Sequence, residues 1–260
     1  MKYCFTLVCL LIWGISPSLF AQNKPPITTS ETKPVNVPAV LISMDYGLIL
    51  PAGDMAKRFG MSSKVGGNIL RKTKNNLLFG VDGSFLFGNL IAEDSLAINL
   101  INSDGNITGT DGQPADVNFF LRGFLTTLKM GKIFQLGGTK NPGSGLFVLG
   151  GVGFMQHKIH IDEKKQAVPQ LQGDYKHGYD RLTNGPALQQ NIGYIHLSDN
   201  RRVNFWVAFE AVQAFTKNQR SFNFDTRTSE TNRRADLLFG LRLGWILPLY
   251  SSSSDRYFTY

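Results

Sequence analysis

The chain has 260 residues, 42% hydrophobic, 12% aromatic and 18% charged, with 27 glycines; this is too apolar and aromatic for a disordered chain and carries no collagen-like period. Lysine and arginine outnumber aspartate and glutamate 27 to 19, but the basic residues scatter without an aromatic-interleaved face, which argues against nucleic-acid binding. No window after residue 21 offers the eighteen or so uninterrupted apolar residues of a membrane-spanning helix, so helical membrane proteins are excluded.

Lys2, the apolar run from Cys4 to Ile15 and the stretch Ser16-Pro17-Ser18-Leu19-Phe20-Ala21 have the charged start, apolar middle and small-residue exit of a secretory signal peptide, with cleavage expected after Ala21. Both cysteines, Cys4 and Cys9, fall within it, and Val8 before Cys9 does not suit a lipoprotein signal. The mature chain is then cysteine-free, which excludes disulfides, thiolate metal sites and cysteine nucleophiles. Residues 22–39 are Pro-, Thr- and Lys-rich without hydrophobic period and read as an extended periplasmic tail.

From residue 40 to 250 the chain alternates with period two, which predicts strands. The first sets Val40, Ile42, Met44, Tyr46, Leu48 and Leu50 against Ser43, Asp45 and Gly47, and a weaker second spans about Ser63 to Lys72. In the third, Leu77, Phe79, Val81, Phe85 and Phe87 oppose Gly80, Asp82, Ser84 and Gly88. The fourth, about Asp116 to Phe134, places Val117, Phe119, Leu121 and Leu125 opposite Asn118, Arg122 and Thr126. The fifth, from Gly145 to Ile159, alternates Leu146, Val148, Val152 and Phe154 with glycines, and the sixth is expected near Ala187 to Leu197. The seventh sets Val203, Phe205, Val207 and Phe209 against Asn204, Trp206, Ala208 and Glu210. The eighth sets seven apolar residues from Leu237 to Leu249 against Asp236, Gly240, Arg242 and Gly244, and a C-terminal periplasmic tail follows from Ser251 to Tyr260.

Tight or Gly-rich connections near 73–76, 135–144 and 198–202 alternate with longer ones near 53–62, 89–115, 160–186 and 217–235. An outer-membrane barrel has this asymmetry, with long outside loops and short periplasmic turns. The eighth stretch is about 40 Å long at roughly 3.3 Å per residue, enough to cross a hydrocarbon layer of about 25 Å when tilted. In lipid every backbone amide needs a partner, so the sheet must close. The fold class expected is therefore all-β, a closed antiparallel up-and-down transmembrane barrel of about eight strands in the bacterial outer membrane, its apolar face toward lipid.

On the opposite face Asp45, Asp82, Arg122, Glu210 and Arg242 fall in mid-strand, and paired charges filling the lumen are the expectation, since isolated buried ions are costly. An ion- or proton-conducting path and a catalytic carboxylate pair are the alternatives for the same residues. Trp245 and Tyr250 are expected as aromatic anchors at the periplasmic interface. Lys72, Lys74, Lys129, Lys132, Lys140, Arg201 and Arg202, against Asp199 alone, suggest a basic periplasmic rim that would meet anionic lipid or an acidic partner.

The closing segment LLFGLRLGWILPLY followed by RYFTY, with the leader and eight amphipathic stretches, resembles the outer-membrane β-barrel superfamily of Gram-negative bacteria over about residues 40 to 260. The resemblance implies assembly by the outer-membrane insertion machinery, guided by an aromatic-rich final strand. Here Ser251 to Ser254 separate Phe258 and Tyr260 from that strand, so either aromatic stretch could be the signal. Phrases such as GDMAKRFG, SGLFVLGGVGFMQHKI, GYDRLTNG and SFNFD look like a specific subgroup to which no activity attaches.

No catalytic, cofactor or metal set is expected. His157, His160 and His177, with Asp162, Asp174 and Asp180 nearby, would lie at the outer rim where barrel enzymes place their histidines, yet no hydrolase signature occurs. His157 and His160, three apart on a strand, face opposite sides. Asn102 to Asn106 and Asp111-Gly112 lack the full calcium-loop pattern and read as turns, and the glycines at 137–138 and 143–145 lack the context of a phosphate loop. The sequence supports a structural or partner-binding barrel at the bacterial surface, with a protein partner at the outer loops or the basic rim. A small passive channel, an accessory subunit of a secretion or assembly complex, and a rim enzyme are the rivals.

Overall fold

The computed structural model describes residues 36–93, 95–136, 142–163, 168–198 and 203–250. The expected signal peptide, the C-terminal tail and the basic residues Lys140, Arg201 and Arg202 lie outside the described residues. Eight strands follow in chain order: β1 (Ala39–Gly53), β2 (Ser62–Lys72), β3 (Leu77–Gly88), β4 (Val117–Phe134), β5 (Gly145–Glu163), β6 (Thr183–His196), β7 (Phe205–Asn218) and β8 (Arg233–Tyr250). Each pairs antiparallel with the next, and β1 pairs with β8, so the ladder closes into a barrel.

The register fixes the barrel's geometry. From Leu48 the ladder runs through Ser63 and Phe87 to Arg122 on β4. In the other direction it runs from Leu48 through Leu241, Phe209, Ile192 and Val148 to Lys132 on the same strand. The two arrival points are ten residues apart, which is the shear of this eight-stranded barrel and sets a strand tilt of about 40°. A barrel of this size has an interior wide enough for side chains and little else.

Local chemistry explains the strands and their connections. Exposed Met44, Leu128, Met130, Val152, Ile192, Phe209, Leu241 and Leu243 point outward from six strands, while the alternate positions turn inward. An exterior of this kind suits acyl chains, and the closed ladder leaves no unpaired edge for lipid to meet. The β2–β3 turn is tight: Thr73 donates its N–H to the Leu77 carbonyl at 2.9 Å, and Asn76 takes a left-handed φ of 59°, a conformation asparagine tolerates. The β1–β2, β3–β4, β5–β6 and β7–β8 connections lie at the opposite end. There Asn102 accepts the Asp104 and Asn106 amides on its side-chain oxygen, a turn as expected.

Differences from the sequence reading are local. β6 begins at Thr183, four residues earlier than expected, and β8 begins at Arg233. The larger difference is in β4, where the inward face carries Leu121, Leu125, Thr127, Lys129 and Ile133, and Phe124, Leu128 and Met130 face out. Both parities of this strand are apolar near its outer end, so alternation alone did not choose between them. The tail, expected to run free to residue 39, is tied to the barrel from Asn36 onward: Lys72 donates to Asn36 Oδ1 at 2.5 Å and to the Val37 carbonyl at 2.9 Å.

Candidate functional site

The interior is stacked in layers along the barrel axis. Nearest the short turns lies an inner apolar layer that includes Leu41, Leu70, Leu78, Ile133, Phe147, Leu149, Ile195, Trp206 and Ile246. Toward the long loops lies an outer apolar layer that includes Ile49, Leu86, Leu121, Leu125, Met155, Ile159, Val212 and Leu238, capped by Met55 and Phe59 from the β1–β2 loop. Between them runs a belt of charge contributed by six strands.

Arg242 is the hub of the belt. Its guanidinium donates to Asp45 Oδ1 through Nε at 2.9 Å and Nη2 at 2.5 Å, to Asp82 at 3.0 Å and to Glu210 at 2.8 Å. Its face stacks on the Trp206 ring, 5.2 Å from the centroid, and the indole N–H donates to Ser43 at 3.2 Å. Lys64 donates to Glu210 at 2.6 Å and Lys129 pairs with Asp82 at 3.0 Å, while Gln189 and Asn191 also donate to Glu210. Three cations thus face three carboxylates, and the belt is neutral. Such pairing is what makes buried ions tolerable, because each unpaired one would cost several kcal/mol in desolvation.

Small residues give these long side chains room. Arg242 lies between Gly47 and Ala208 in the ladder, and Lys129 between Gly80 and Gly151. A Cβ on Gly47 would stand 3.0 Å from Arg242 Cγ and 3.3 Å from Lys64 Cγ, so glycine here leaves space for the two cations. Below the belt, a cavity of about 20 Å³ is lined by Ser43, Asn68, Lys129 and Asn191 among apolar neighbours, room for roughly one water molecule.

Of the five residues expected in the lumen, Asp45, Asp82, Glu210 and Arg242 meet in the belt. Arg122 does not: it lies on the outer wall, its guanidinium over the Phe120 ring at 5.2 Å. The parity of β4 is the reason. Lys64 and Lys129 are the cations that alternation missed. The sequence pattern puts Lys129 at the periplasmic rim, and Lys64 sits on a strand whose Gly66, Gly67 and Asn68 blur the pattern. Lys72 likewise leaves the rim, being buried beneath the barrel. Trp245 faces outward and is exposed, but Tyr250 shares the inward parity of Arg242, pairs with Ala39 and packs against the inner apolar layer, so it is not a lipid-facing anchor.

A second set of charges closes the mouth. Arg58, buried in the β1–β2 loop, donates to Thr183 at 3.1 Å and pairs with Glu230 and, at 3.3 Å, Glu93. Arg181 pairs with Asp225 at 2.9 Å, Arg220 donates two hydrogen bonds to Asp180, and Arg234 pairs with Glu230 at 3.0 Å. All four long connections are joined in this way. Burial works against the Glu230 carboxylate, yet the Arg58 charge, a hydrogen bond from Asn218 and the Arg234 charge hold its pKa below the ordinary range. Beneath them His157 Nε2 lies 2.9 Å from Asp236, which also accepts from Thr216 at 2.5 Å. His160 points outward, and His177 stands on an exposed loop 4.0 Å from Asp174. Among the described residues no three His, Cys, Asp or Glu side chains converge as metal ligands would.

No family model and no curated protein matches the chain. Among solved structures it is similar to Ail, the attachment invasion locus protein of Yersinia pestis, at 11% identity over 81% of this chain and 99% of that one, with a TM-score of 0.41. It is also similar to Neisserial surface protein A, at 12% identity over 78% and 95% of the two chains and a TM-score of 0.37. The outer-membrane protein OprG from Pseudomonas aeruginosa is 10% identical over 82% and 98%, with a TM-score of 0.36. The chain is a closed eight-stranded antiparallel barrel with an apolar exterior, which suits a lipid surround.

Proposed function

We propose that this barrel serves a structural or partner-binding role at the surface of the bacterial outer membrane, with a lumen that does not conduct. The observation that carries this reading is the layered interior. A neutral belt of six paired charges lies between two apolar layers, and the cavity beside it has room for about one water. An ion entering from either end would have to cross an apolar layer and then displace a carboxylate or ammonium from its partner, each step costly in low dielectric.

With the lumen sealed, contact with other molecules falls to the wall and the mouth. The long connections are tied to one another by buried and half-buried ion pairs, so they offer a pre-organised outer surface on which a protein partner would bind at little ordering cost. Lipid and, during assembly, the outer-membrane insertion machinery are the remaining partners. Purified barrel in planar bilayers tests the proposal. Heat-modifiable gel mobility establishes the folded barrel first, and no steady single-channel current is then expected; a reproducible open level from the same preparation would overturn the sealed-lumen reading in favour of a small channel.

A further inference from the structure

Displacing Arg122 from the lumen raises the question of what it meets outside. On β4 the outward residues run Met130, Leu128, Thr126, Phe124 and then Arg122, and on β5 they run Val152, Phe154, Gln156 and then Lys158. Arg122 and Lys158 pair directly across the ladder, at the outer edge of the apolar belt. Two like charges opposite each other repel, and among the described residues neither forms an ion pair. The next outward carboxylate on β5, Asp162, lies four residues further along the strand.

Beside this cationic pair the wall is notched. β3 ends at Gly88, opposite Leu121, while β4 continues four residues further to Val117. The step leaves a groove of about 420 Å³ whose walls include Leu48, Met61, Phe87 and Leu90, with Ser63 and Arg122 along its polar side. Leu48, Met61 and Leu90 on its apolar side are exposed, and the Ser63 hydroxyl and the Arg122 guanidinium lie along the other.

We propose that Arg122 and Lys158 hold the phosphate of a phosphorylated glycolipid of the outer leaflet, one acyl chain of which lies in the adjoining groove. The anion relieves the repulsion within the cationic pair, and the arginine fork presents paired donors to phosphate oxygens. Aliphatic walls supply the rest of the contact. The assignment rests on the outer-membrane reading, because only that orientation puts the pair at the outer leaflet.

Native mass spectrometry of the detergent-solubilised barrel, titrated with bisphosphorylated lipid A, tests it. Parallel titrations use fully dephosphorylated lipid A and inorganic phosphate. One lipid per barrel is expected for the phosphorylated form, with affinity reduced about tenfold or more by Arg122→Gln with Lys158→Gln. The control variant is Lys217→Gln with Arg233→Gln, which removes the outward cationic pair between β7 and β8 and is expected to leave binding unchanged. Equal binding of the dephosphorylated lipid, saturable binding of inorganic phosphate alone, or equal losses in both variant pairs would overturn the site. Heat-modifiable mobility of every variant reports the barrel separately, so a failure of the membrane reading is distinguishable from a failure of the lipid site.

Discussion

At mid-lumen, Arg242 gathers carboxylates from β1, β3 and β7, all carried on strands whose positions the ladder already fixes. At the mouth, Arg58 joins two connections, the one after β3 through Glu93 and the one after β7 through Glu230, to the β1–β2 loop. Both regions pair buried guanidinium with carboxylate, but they differ in what the pairing determines. In the belt the backbone places the charges and the charges fill the lumen. At the mouth a short backbone bridge between Phe59 and Ile91 already ties the β1–β2 loop to the connection after β3, and the Arg58–Glu230 pair adds the connection after β7, which no ladder joins to Arg58. One chemistry therefore serves occlusion in the first region and loop positioning in the second.

The contrast is sharpest in a variant that removes the hub of the belt. Arg242→Met leaves Asp45, Asp82 and Glu210 facing only Lys64 and Lys129, and breaking a buried network by deleting one partner costs about 3–5 kcal/mol. Urea unfolding of the barrel in lipid vesicles should show that loss as a lowered midpoint, and an unchanged midpoint would show that the belt contributes nothing to stability.

Arg58→Ala is expected to act more locally. Its partners keep partial access to solvent, so the loss is smaller, about 1–3 kcal/mol, and confined to the loops. The heat-modifiable barrel band should persist, while limited proteolysis should cut within residues 89–116 and 219–232 faster than in the parent. Cleavage unchanged from the parent would remove the staple role.

Acid gives the smallest effect and separates the regions without mutation. The Glu230 pKa is depressed in the folded protein, so its contribution is complete above the unfolded carboxylate value and is lost as pH falls through the folded one. Protection factors of the outer-loop amides, corrected for the intrinsic pH dependence of exchange, should fall below about pH 4, the ordinary glutamate range, and stay constant from pH 6 to 8. Loss of protection already between pH 6 and 8 would point instead to a group titrating there.

Much of the architecture was legible in the residues. In β1, β3, β7 and β8 one parity is apolar and the other small or charged, so Asp45, Asp82, Glu210 and Arg242 declare their side. β4 is different, since Phe119, Leu121 and Leu125 compete with Phe120, Phe124, Leu128 and Met130 for the lipid face. The deciding residue is Lys129, which cannot face mid-bilayer and so forces the odd positions inward. Residue type alone suggests an interfacial anchor at Tyr250, but its even spacing from Arg242 puts it on the inward face. The mouth was not legible, because Arg58 and Glu230 are 172 positions apart and no local pattern joins them.

The closed ladder gives the belt a further meaning for biogenesis. Its only guanidinium arrives on the C-terminal strand, across the seam where β8 meets β1. A chain lacking that strand would hold three acids against two amines, one negative charge in excess inside a half-built cylinder. The pairing that seals the seam therefore also brings in the charge that cancels that excess.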